Sequence, residues 1–239
     1  MIEKFLEIMQ CHVPKEFPDE AFSHFLNLGK KAISMEPEDL ARPLLQEFGC
    51  ATNIIPWRFR SGFEFKSEFV QSWEIIGNAA DHNEIYKREK SFFGWLNAEV
   101  SAIDASFHAI YVLCALKQNF NLDFSEKARR NISPKKLADQ IPENVPSYLL
   151  KKSIVDVINS KEYGSVKELR NRMSHRGNIP RHIKVTPGSG PDLEFLNYAA
   201  TWSSAALVGD SSKIDEMMNW FASTMKSILE AGHDIKRTQ

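Results

Sequence analysis

Three cysteines in 239 residues, Cys11, Cys50 and Cys114, stand far apart with no Cys-x-x-Cys pair. That spacing provides neither a disulfide framework nor a thiolate metal site, and the three read as buried thiols of a reducing, cytoplasmic compartment. A formal net charge of −1 means no global field draws the molecule onto nucleic acid, so any such affinity has to come from local basic clusters. No uninterrupted apolar run approaches the roughly 20 residues that span a bilayer. Met1-Ile2-Glu3-Lys4-Phe5 opens an amphipathic stretch with scattered charge, unlike a signal peptide's apolar core, so a cytoplasmic protein with no membrane partner is expected. Glycine-rich nucleotide loops, a Gly-x-Ser-x-Gly elbow and a His-Glu-x-x-His pair are missing. Asp81, His82 and Glu84 cluster, but adjacent residues diverge around a helix; no metal and no cofactor are expected.

What the chain has is helical periodicity. With 43% hydrophobic and 26% charged residues it can fill a core, and no repeat, low-complexity tract or sustained alternation competes with the helical pattern. Candidate helices cover 2–10, 19–34, 37–48, 64–80, 83–118, 134–140, 147–160, 166–176 and 212–231. The fold class is all-α. Residues 49–62 read as the junction between an N-terminal helical extension over 1–62 and a helical bundle over 63–239. Inside that junction Trp57-Arg58-Phe59-Arg60 interleaves aromatics with arginines, a pattern that either stacks on single-stranded nucleic acid or anchors its rings in the core. Residues 178–210 carry Pro180, Pro187, Gly188, Gly190 and Pro191 without helical periodicity. A loop this long is commonly functional, and 182–185 with 193–196 are predicted to pair across its turn as a small hairpin.

In the helix around 95–116, Leu96, Val100, Ile103, Phe107, Ile110 and Cys114 form one core stripe, and Ala98, Ala102, Ala105 and Ala109 form a face that lets another helix approach closely. Asp104 and His108, four apart on the edge between them, are expected to be buried and hydrogen-bonded. They either tie helices together or support a site from behind. In the last helix Ile214, Met217, Met218, Phe221, Met225, Ile228 and Leu229 read as core, with Ser212 and Asp215 as its cap.

The richest segment chemically is Glu168-Leu169-Arg170-Asn171-Arg172-Met173-Ser174-His175-Arg176-Gly177. Ser165-Val166-Lys167-Glu168 has capping-box spacing and predicts a helix start at Val166, with Gly177 as its left-handed stop. Val166, Leu169 and Met173 then form an apolar stripe, Asn171 and His175 fall nearly opposite, and Arg170 lies on the flank. Lys167, Arg170, Arg172, Arg176, Arg181 and Lys184 face only one acid, Glu168. This basic patch can seat a few phosphates, Arg172, Arg176 and Arg181 among the contacts, and it also fits a plain solvated face.

Arg170, Asn171 and His175, with Leu169 before them and Gly177 after, resemble the Arg-x4-6-His motif of the HEPN superfamily (higher eukaryotes and prokaryotes nucleotide-binding). The resemblance covers roughly 64–232 and leaves the N-terminal residues and the loop after Gly177 unexplained. It implies a HEPN-like bundle and metal-independent cleavage of RNA, in a toxin or phage-defence role of the kind common among catalytic members, with an antitoxin or a nucleotidyltransferase as a partner. It also implies a homodimer whose two motifs share a cleft. In such chemistry His175 moves protons, Arg170 holds phosphorane charge and Asn171 orients the imidazole or binds phosphate. Five residues separate Arg170 from His175, about 140° around an ideal helix, which the second motif of a dimer would accommodate. The alternative is a non-catalytic HEPN-like module that binds nucleotide, RNA or a protein partner.

Overall fold

The computed structural model describes residues 13–35, 38–76, 81–115, 122–123, 125–142, 147–175, 181–185, 191–195, 211–232 and 235. At 39–41, 76, 147, 172, 175, both strands and 211–213 the description covers the backbone only. The elements are α1 (Asp19–Ser34), α2 (Glu38–Ile76), α3 (His82–Ala115), α4 (Glu126–Arg130), α5 (Pro134–Gln140), α6 (Ser147–Ile158), α7 (Lys161–His175), β1 (Arg181–Val185), β2 (Pro191–Phe195) and α8 (Ser211–Ala231). This is an all-α helical bundle carrying one small hairpin, β1 pairing antiparallel with β2 from Arg181 opposite Phe195 to Val185 opposite Pro191. The candidate helix over 2–10 and the stop at Gly177 lie outside the described residues.

The predicted break at 49–62 is not a loop. α2 runs through it without interruption, although Pro43 and Pro56 lie inside the helix. A proline in a helix interior costs about 3 kcal/mol. Against that, Leu44, Phe48, Ile55 and Phe59 are each 2% exposed or less, and burying a side chain of that size is worth about 1.5–3 kcal/mol. The buried positions Leu44, Phe48, Ala51, Ile55, Phe59 and Gly62 recur at intervals of three and four, which is the helical period continuing past both Gly49 and Pro56.

The chain divides into two compact units. The first comprises Met1–Arg58, Ser101–Asn159 and Phe221–Gln239. Its core gathers Phe25, Ile33, Ile55, Ile103, Ile110, Met225, Ile228 and Leu229, all fully buried. Phe25 and Phe48 lie with ring centroids 5.6 Å apart. α5 packs on α6, burying Leu137, Leu150 and Ile154. α4, which the periodicity does not predict, is a single capped turn whose Ser125 hydroxyl accepts from the Ala128 amide.

The second unit comprises Phe59–Val100 and Ser160–Trp220. In it α2 and α3 run antiparallel, since the partner number on α3 falls as that on α2 rises: Gly62 lies against Glu99, Glu68 accepts from Ser91, and Ser72 meets Arg88. An aromatic seam lines this pair, Phe69 to Phe92 at 5.2 Å and Phe92 to Trp95 at 5.8 Å. Lys66 reaches Asp215 at 2.5 Å and so ties α2 to α8. The carboxylate expected to cap α8 therefore serves a cross-helix ion pair.

The predicted stripe of α3 is buried at every named position from Leu96 to Cys114. By length and composition α3 also passes as a membrane span, despite Asp104 and His108, and 72% of its most apolar window is buried inside the protein. Of the cysteines, Cys114 is buried as expected, Cys50 is exposed on α2 where burial was expected, and Cys11 lies outside the described residues.

Candidate functional site

α7 begins one turn earlier than the capping box predicts. The Ser160 hydroxyl accepts from the Tyr163 amide at 3.1 Å, and its carbonyl accepts from Gly164 at 3.2 Å, so Ser160 is the cap and Ser165 is interior and buried. The extra turn buries Tyr163 beside Val166, at 4% and 1% exposure. That gain outweighs the cost of Gly164 in a helix interior, about 1 kcal/mol. Lys167 lies over the Tyr163 ring at 5.2 Å, an i,i+4 contact that reinforces the added turn.

Along this helix Val166 is buried while Leu169 and Met173 are half-buried, so the predicted apolar stripe faces inward most firmly at its first residue. Lys161, Gly164, Glu168 and Asn171 are exposed, and the spacing of that edge continues to position 175. Arg170 is half-buried on the flank and is engaged within the fold. Its carbonyl accepts from the Ser174 hydroxyl at 2.9 Å. His175 is the last residue of α7; its side chain and that of Arg172 lie outside the described residues, as does Arg176. Arg181 opens β1, and its side chain is also outside the description.

Asp104 and His108 belong to the first unit and Arg170 and Asn171 to the second. Both residues on α3 are half-buried, where burial was expected. His108 Nε2 lies 3.4 Å from Glu47 Oε2 on α2, and the other Glu47 oxygen accepts from Arg129 on α4. The Tyr111 ring stands 5.9 Å from His108, and its hydroxyl donates to the Asp123 carbonyl. Burial, with Asp123 and Glu47 nearby, raises the Tyr111 pKa against the opposing pull of Arg129. His108 thus acts as a strut: Glu47 gathers α3 and α4 onto α2. Asp104 has a partner of its own.

Two buried ionisable groups escape a reading based on motifs. Glu99 is 0% exposed, and neither carboxylate oxygen has a hydrogen-bond partner among the described residues. Burial pushes its carboxyl well above the ordinary value of 4.5, because a desolvated site favours the uncharged form. The sequence signal was available, because position 99 falls on the buried stripe through Phe92, Leu96 and Ile103. Arg88, 2% exposed, lies 4.0 Å over the Trp73 ring and donates to the Ser72 hydroxyl and carbonyl at 2.7 and 2.9 Å. Burial lowers its pKa and Glu84 partly restores it. Asp81 and Glu84 have structural employment too: Asp81 accepts from the Glu84 amide at 2.9 Å, and Glu84 accepts from Lys87 at 2.6 Å.

Ser72 and Ser91 line a groove of about 390 Å³ with Glu68, Gln71, Ile75, Glu84, Lys87 and Lys90. It carries both signs of charge, with Lys87 paired to Glu84 and Glu68 accepting from the Ser91 hydroxyl. In Trp57-Arg58-Phe59-Arg60 the helix separates the residues. Phe59 is fully buried, Trp57 is 54% exposed, and Arg60 pairs with Glu64 at 2.8 Å. Comparison of the chain with protein-family models, curated proteins and solved structures finds no match in any of the three.

Proposed function

We propose that the protein is a metal-independent endoribonuclease of HEPN type, with Arg170, Asn171 and His175 as its catalytic residues. The observation that carries this reading is the disposition of α7. Its apolar residues turn inward from Val166, Asn171 stands exposed, Arg170 lies on the flank, and His175 closes the helix. The exposed Asn171 amide and the guanidinium of the half-buried Arg170 on the flank supply the donors a phosphodiester requires.

The chemistry follows from the side chains. The 2′-hydroxyl of RNA attacks the adjacent phosphorus, and the 5′-oxygen leaves with a proton. His175 handles a proton, Arg170 stabilises the charge that develops on the phosphorane oxygens, and Asn171 orients the imidazole or the phosphate. Arg172, Arg176 and Arg181 seat flanking phosphates. A single motif brings one histidine, so the acid and base pair is completed by a second copy in a two-fold homodimer. A toxin or phage-defence setting, with an antitoxin or nucleotidyltransferase partner, accords with this chemistry.

Purified protein incubated with mixed RNAs in EDTA tests the proposal. Cleavage should persist in EDTA, leave 2′,3′-cyclic phosphate ends, spare DNA for want of the 2′-hydroxyl, and fall by most of its value in Arg170→Ala and His175→Ala with little change in thermal midpoint. Arg172→Ala should weaken RNA binding and flatten its salt dependence. A metal requirement, or undiminished cleavage by His175→Ala, refutes the mechanism. Inactivity on every RNA with binding retained would instead favour the non-catalytic module.

A further inference from the structure

We infer that the face of α2 around Ile54, Trp57 and Arg58 is a stacking platform for single-stranded RNA, built from residues other than those of the α7 motif. Trp57 is 54% exposed and Ile54, one turn before it, 37%. The two side chains, three residues apart, form a short exposed apolar strip along one helical face. The Arg58 guanidinium lies over the Trp57 ring at 5.0 Å, within cation–π range. This pairing presents a flat π surface beside a fixed positive charge.

The charge around the ring points to the occupant. Arg58 makes no ion pair and no hydrogen bond among the described residues, and its Nε is shielded from water without an acceptor. Arg60 differs, because Glu64 neutralises it. No acidic residue occurs between Glu47 and Glu64, and Glu47 is already engaged by His108 and Arg129. An uncompensated guanidinium against an exposed indole calls for an anion attached to a flat ring. A nucleotide meets both needs, its base stacking on Trp57 and its phosphate accepting from Arg58. Duplex is disfavoured because its bases are already stacked. The choice of RNA over DNA rests on the ribonuclease reading, since stacking and phosphate contacts do not sense the 2′-hydroxyl.

Fluorescence anisotropy with a short labelled oligouridylate and its deoxy counterpart tests this on the full chain, with His175→Ala added as a non-cleaving background. Trp57→Ala should weaken binding of both probes roughly ten-fold or more, and Trp57→Phe should retain most of it. Arg58→Gln should lower the slope of log affinity against log salt by about 0.7. Arg42→Gln, which alters an exposed arginine on the same helix already paired with Glu38, should leave binding unchanged. All these positions are at least partly exposed, so matching circular dichroism and thermal midpoints will separate lost binding from lost fold.

Equal weakening by Arg42→Gln, binding unaltered in Trp57→Ala, or no binding of either probe by wild type at low salt overturns the platform. If Trp57→Ala binds and cleaves normally, the platform fails while the ribonuclease reading stands. If both probes bind through Trp57 but RNA is never cut, the platform stands and the ribonuclease reading fails. A Trp57→Ala protein that binds oligonucleotides normally but loses a protein partner assigns the face to that partner and overturns the RNA assignment.

Discussion

Replacing Glu99 with methionine should stabilise this protein. The Glu99 carboxyl is completely buried with no hydrogen-bond partner among the described residues, and a buried polar group in that condition costs about 1–3 kcal/mol. Methionine fills a similar volume without the polar atoms, so Glu99→Met should recover about 1–3 kcal/mol. For a chain of this size that corresponds to a rise of about 2–12 °C in thermal midpoint. The gain should depend on pH. In the unfolded chain the carboxyl ionises near its ordinary 4.5, whereas in the fold burial holds its pKa well above that. A pKa raised in the folded state makes its contribution fully below the unfolded value and loses it as pH rises toward the folded one, with a slope of at most about 1.4 kcal/mol per pH unit. Wild type should therefore lose stability relative to Glu99→Met on going from pH ~5 to pH ~9, while Glu99→Gln, polar but unable to ionise, should run parallel to the methionine variant. Urea unfolding at several pH values measures all three. Wild-type and methionine curves that stay parallel across the range, or a methionine variant that is less stable at every pH, would show that the carboxyl is ionised or satisfied in the fold and would refute the reasoning.

Gly62→Ala should destabilise by about 1–3 kcal/mol through overpacking, because a β-carbon there would come 2.3 Å from Glu99 Oε1; thermal unfolding should show a smaller effect in a Glu99→Ala background if the clash is the cause. Gly29→Ala should cost a similar ~1–3 kcal/mol, since its β-carbon would sit 2.1 Å from Cζ of the buried Phe48 ring, and an unchanged urea midpoint would mean that the ring yields freely. Glu47→Ala should cost about 1–2 kcal/mol by releasing His108 and Arg129 together. That figure is already discounted for side chains 24–30% exposed, and hydrogen exchange should quicken first in α4.

The residues that make α3 a core helix were legible because burial is repetitive. Leu96, Val100, Ile103, Phe107 and Ile110 carry a period that any packing partner must honour, and the same holds for the stripe of α8. Local rules were less reliable. Gly49, Pro56 and Gly62 have the local character of a junction, yet the paired apolar positions on either side hold α2 helical through them. Ser165 and Glu168 have capping-box spacing, yet burying Tyr163 draws the start of α7 back to a cap at Ser160. In both places the burial of apolar side chains on the helix itself outweighs the local signal.

By itself, then, the sequence determined the all-α class, the inward stripes, the hairpin after α7 and the exposed setting of Asn171, because each depends on the order of polar and apolar residues along one element. Tertiary structure decided which polar groups have partners. Only the fold sets Glu47 between His108 and Arg129, stacks Arg88 on Trp73, leaves Arg58 without a carboxylate among the described residues and encloses Glu99 against Gly62. The physical reason is that burial follows a helical period readable within one segment, whereas the pairing and desolvation of a charge depend on what a second segment brings within a few ångströms.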